Sequence, residues 1–80
     1  MSRIRDSRST DRIREEVQRV VDELLAERGN DVEVTVPLPT RCDPDARGCN
    51  WTMLTFDGDR AFFSLVSAAV IRVQSKWNLN

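Results

Sequence analysis

Histidine and tyrosine are missing from the 80 residues of this chain, and lysine occurs once, as Lys76. Without histidine the chain lacks the usual general base and the commonest imidazole metal ligand. Glycine and proline occur three times each, so no stretch reads as a low-complexity linker. Long apolar runs are lacking as well. The most apolar stretch, 61–73, is interrupted by Ser64, Ser67 and Arg72. It falls short of the roughly 18 apolar residues that mark a membrane span, and the polar residues after Met1 do not form a signal-peptide core. The expected location is the cytoplasm, with no membrane partner. The formal net charge is -1, so no overall cationic field draws the chain to phosphate backbones.

What is present is a globular mixture, with 40% hydrophobic and 31% charged residues. Eighty residues make one domain. A chain of that size buries only about 60% of the surface its unfolded form exposes, so small domains often rely on a staple or a partner. All the cations except Lys76 are arginines, the better residue for bidentate contacts with carboxylates and phosphates.

Residues 1–9 carry Arg3, Arg5 and Arg8 among serines and show no periodicity, which predicts a mobile Arg/Ser-rich arm ahead of a single α+β domain over 10–80. Ile13, Val17, Val20, Val21, Leu24 and Leu25 share one stripe and predict a helix over 10–28, capped by Ser9 or Thr10 and stopped at Gly29-Asn30. Val32, Val34 and Val36 alternate with Glu33 and Thr35, predicting a strand that Pro37 ends. A long connection over 37–50 leads to a second expected strand over 51–56. Asp57-Gly58 is a turn signal. Beyond it the pattern favours a helix over about 59–77, with Phe62, Phe63, Val66, Ala69, Val70, Val73 and Trp77 on one face. The competing reading is a third strand at 60–66 before a shorter helix.

The expected fold is therefore helix–strand–strand–helix, with both helices on one face of a small antiparallel sheet. A two-stranded sheet is marginal alone, so pairing with a second copy is expected to complete it, giving a homodimer.

The most distinctive segment runs from Cys42 through Asp43, Pro44, Asp45, Ala46, Arg47 and Gly48 to Cys49, followed by Asn50 and Trp51. A disulfide between Cys42 and Cys49 would close a short loop, though a cytosolic setting keeps thiols reduced. A redox pair would ordinarily leave two residues between the cysteines. Zinc needs four ligands, which two thiols could supply only in a site shared across a dimer. A calcium loop fails because Arg47 and Leu54 stand where acceptors are required. Asp57 and Asp59 suit a turn and a cap better than paired acid–base work. Among Arg3, Arg5, Arg8, Arg12, Arg14 and Arg19 lie four acids and no aromatic residue, a weak basis for phosphate contact and none for base stacking. Trp51 and Trp77 are the large anchors, suited either to the core or to an interface.

By elimination, the sequence points to a non-enzymatic interaction module without a cofactor, homodimeric, binding another protein through the 37–51 loop by way of Arg41, Arg47 and Trp51. The alternatives are nucleic-acid binding through Arg3, Arg5, Arg8 and Arg12, and metal or redox sensing through Cys42 and Cys49.

Overall fold

The computed structural model describes residues 6–29, 32–53 and 55–80. Helix α1 spans Thr10–Glu27 and begins as its sequence requires. The Ser9 hydroxyl accepts from the Arg12 amide at 3.2 Å, satisfying one of the helix's open N–H groups. Ile13, Val17, Val20, Val21 and Leu25 are buried along one stripe. Gly29, at φ 70°, takes the left-handed conformation that ends the helix, and its amide bonds the Ala26 carbonyl at 3.0 Å. Asn30, the second half of the expected stop, lies outside the described residues.

The segment after α1 keeps the expected alternation at 33–36: Val34 and Val36 are buried, Glu33 and Thr35 exposed. It is nevertheless a single antiparallel bridge, Thr35 to Asp57, rather than the predicted strand. Pro37 has no N–H to extend the ladder on the side of Asp57, and the opposite edge is bonded to α1. Gln18 of α1 donates from Nε2 to the Val34 carbonyl at 2.7 Å and accepts from the Val36 amide at 3.0 Å. Arg14 Nε donates to the Val36 carbonyl at 3.0 Å. Side chains of α1 thus occupy the edge where a neighbouring strand would pair.

Strands β2 (Thr40–Arg41) and β3 (Trp51–Thr52) form a short antiparallel hairpin, with Thr40 opposite Thr52 and Arg41 opposite Trp51. The pairing continues in the Cys42 amide bond to the Asn50 carbonyl at 2.9 Å. Asp45 closes the turn: its Oδ1 accepts from the amides of Arg47 (2.8 Å) and Cys49 (3.1 Å). Gly48 sits at φ 84°, a conformation that favours glycine. The second expected strand, 51–56, is only these two residues of β3; Leu54 lies outside the described residues.

The third-strand reading of 60–66 is not what forms. Asp59 Oδ1 accepts from the Ala61 amide at 2.9 Å and starts a 3-10 turn over Arg60–Phe62, which runs into helix α2 at Phe63–Gln74. Leu65, Val66, Ala69, Val70 and Val73 face the core, and α1 and α2 pack on one another.

The helix stops three residues short of the expected end because Trp77 belongs to a further strand, β4 (Trp77–Leu79). Its partner is β1 (Asp6–Arg8), at the other end of the chain, and the two run parallel with Asp6 beside Trp77 and Arg8 beside Leu79. Residues 6–9, expected as part of a mobile arm, are held by this pairing and by the Ser9 cap; residues 1–5 lie outside the described residues. The single antiparallel sheet is thus replaced by two separate two-stranded pairs, one parallel and one antiparallel. Side chains join them. Asn50 accepts from the Leu79 amide at 2.7 Å and donates to its carbonyl at 2.9 Å. Trp51 Nε1 donates to the Trp77 carbonyl at 2.9 Å, and Asn78 Nδ2 to the Gly48 carbonyl at 3.0 Å. The architecture remains a small α+β fold.

Candidate functional site

Arg41 and Arg47 are exposed. Arg47 lies 3.8 Å from Asp45, and an Arg41 guanidinium nitrogen donates to the Asn80 carbonyl. Trp51 corrects the expectation: at 1% exposure it is a core residue, its indole N–H bonded to the backbone of β4, so it offers no surface to a partner.

Cys42 and Cys49 are both free thiols, Cys42 exposed and Cys49 buried. The hairpin register explains the difference. Cys42 stands opposite Asn50, so Cys49, one residue earlier, projects from the other face, where it packs in the core with Trp51. Its Sγ donates to the Trp51 carbonyl at 3.4 Å. A bridge between the two would require the turn to be rebuilt. Among the described residues no group of three or more cysteine, aspartate or glutamate side chains could hold a metal ion. Asp57 and Asp59 act through the Thr35 bridge and the turn cap, as their setting suggests.

Two arginines near the N-terminus, Arg8 and Arg12, gather with Lys76 on one aromatic ring. The guanidinium carbons of Arg8 and Arg12 lie 4.8 and 5.7 Å from the Trp77 ring centroid, and Lys76 Nζ lies 4.7 Å from it. Arg3 and Arg5 lie outside the described residues. Each cation also meets an acid: Arg8 with Asp6 at 3.9 Å, Arg12 with Glu15 at 3.3 Å, Lys76 with Glu16 at 2.6 Å, and Arg19 with Glu16 at 3.0 Å and Glu23 at 2.8 Å. Among these residues four cations face four acids. Glu16 is their buried centre. The Arg19 hydrogen bonds lower its pKa to about 2 against the opposing effect of burial, with Lys76 adding to the shift.

The surface that sequence reasoning missed is the outer side of α2. Phe63 is 60% exposed and Ile71 51% exposed, and they flank a groove of about 210 Å³ lined by Thr52, Met53, Ser67 and Val70 as well. The signal was in the sequence: no charged residue occurs over 61–71. One side of α2 meets the core, and its other side carries Phe63 and Ile71 among Ser64, Ser67 and Ala68, with no charge before Arg72. None of the helices among the described residues is long and apolar enough to cross a membrane. Family models, curated proteins and solved structures contain no match to this chain, so any function has to be argued from these residues.

Proposed function

We propose that the chain is a non-enzymatic protein-interaction module that docks through the outer face of α2. The observation carrying this reading is the exposure of Phe63 and Ile71 on a helix whose opposite side is anchored in the core. A large apolar side chain left in water forgoes roughly 1.5–3 kcal/mol of burial, which a partner can recover. Large exposed apolar side chains flanking a groove fit an interaction site. The hairpin supports this role less well, because Trp51 is inside and Arg41 is held by the backbone of Asn80. We place the module in the cytoplasm, where unpaired thiols such as Cys42 and Cys49 persist.

The test is affinity capture from source-cell extract, comparing wild type with the Phe63→Ser/Ile71→Ser double variant and with Arg47→Ala. Circular dichroism first establishes that all three are folded. A partner retained by Arg47→Ala and lost by the double variant is the expected result. A partner retained by the double variant would reject this face.

A further inference from the structure

We propose that the occupant of the α2 face is a second copy of this chain, its α2 packed antiparallel to the first across a two-fold axis near Ser67. This rests on the reading of α2 as a docking face and adds the identity of what docks.

Spacing along α2 favours a second copy. Phe63 and Ile71 each stand four residues from Ser67, on the same side of α2. A two-fold axis at Ser67 sets Phe63 against Ile71 of the partner subunit, and the same contact repeats by symmetry. A closed dimer needs this self-complementarity, since one patch must fit itself. Ser64 and Ala68, both exposed, lie beside this row and are small enough for the two helices to approach closely.

Charge favours a second copy as well. Asp57, Asp59 and Arg60 stand at the N-terminal end of the helical segment, two acids and one cation, a net of -1. Arg72 stands at the C-terminal end and contributes +1. Between these groups no charge interrupts the apolar surface. Antiparallel packing brings the acidic end of each helix to the basic end of the other and also opposes their dipoles favourably. Within the chain, the ion pairs among the described residues leave Asp57, Asp59, Arg60 and Arg72 unengaged.

The contact is small. Twelve residues of α2 extend only about 18 Å, which limits the interface to the lower end of the size range for specific complexes. A contact of this size fits a reversible dimer rather than a permanent one.

Sedimentation velocity of the full chain over a dilution series tests this, together with Ile71→Glu and Arg72→Glu, whose side chains are exposed and whose folding is checked by circular dichroism. Wild type is expected to be dimeric at about 100 µM and to dissociate on dilution towards about 1 µM. Ile71→Glu should remain monomeric throughout, and Arg72→Glu should weaken the dimer by roughly tenfold. A second measurement locates the axis. In a Cys42→Ser background, Ser67→Cys should join two copies by a disulfide on mild oxidation, and Ala26→Cys, exposed on α1, should not. A folded wild type that stays monomeric at about 500 µM, a dimer indifferent to Ile71→Glu, or equal cross-linking at both positions would overturn the proposal. Self-association is read on purified protein alone, so its failure is distinguishable from failure of the docking face, which capture by wild type against Phe63→Ser/Ile71→Ser decides.

Discussion

Two of the ion pairs among the described residues converge on Glu16. Its nearly buried carboxylate accepts from Arg19 through both oxygens and from Lys76 at 2.6 Å, joining α1 to the turn between α2 and β4. The folded-state pKa, lowered to about 2 from 4.5, means that the folded protein resists protonation more than the unfolded chain does. Its contribution is complete above the unfolded value and is lost as pH falls from about 4.5 to about 2. Both cationic partners are roughly half exposed, so screening limits the contribution to on the order of 1–2 kcal/mol. Glu16→Gln should therefore lower stability at pH 7 and flatten the loss between pH 5 and about 2.5 in urea unfolding; an unchanged pH slope would contradict the assignment. The thiols give a second prediction at this scale. Cys42 should react with a thiol reagent in the native protein, and Cys49 only on unfolding; two fast-reacting native thiols would place Cys49 elsewhere. Residue identity made the apolar anchors legible in the sequence, but not their exposure. Trp51 suited core and surface equally, and burial followed only from the contact of its indole with a strand 26 positions later.

At the scale of elements, side-chain amides replace sheet ladders. Gln18 satisfies both polar groups flanking Thr35, Asn50 does the same for Leu79, and Gln74 donates to the Trp51 carbonyl at 2.8 Å. This explains how strands of two or three residues suffice. Gln18→Ala would strip the Val34 carbonyl and the Val36 amide of their partners, at a cost of about 2 kcal/mol. The Val36 amide should then exchange with solvent well before the amides of α1; unchanged protection would show that Gln18 is dispensable there. The helices were legible because their signals are local. Ser9, the valine stripe and Gly29 mark α1 within a residue of its observed end, and Asp59 marks the turn leading into α2. The valine alternation at 34–36 correctly gave the buried face, yet could not reveal that a helix side chain, rather than a strand, would pair with it. The β1–β4 pair was illegible for a different reason. Asp6-Ser7-Arg8 and Trp77-Asn78-Leu79 carry no strand signature, and their pairing spans nearly the whole chain. Trp77, moreover, fell in helical register with the stripe of α2, so periodicity carried the expected helix past Gln74.

For the whole molecule, the question is what an 80-residue chain does with more apolar surface than its core can absorb. α1 spends its single stripe inward and shows charge outward, while α2 faces inward with Leu65, Val66, Ala69, Val70 and Val73 and outward with Phe63 and Ile71. The unabsorbed face, rather than the cysteine hairpin, is the centre of the functional account. Small cores that gain from a partner are expected on size alone; the partner's place was expected at a sheet edge, and the strands among the described residues are two or three residues long. The most direct measurement is a dilution series followed by amide chemical shifts in the full chain. Concentration-dependent shifts are expected at Met53, Phe63, Ser67 and Ile71, with the hairpin amides from Cys42 to Arg47 unmoved. Shifts confined to the hairpin, or a spectrum independent of concentration up to about 500 µM, would contradict self-association through α2.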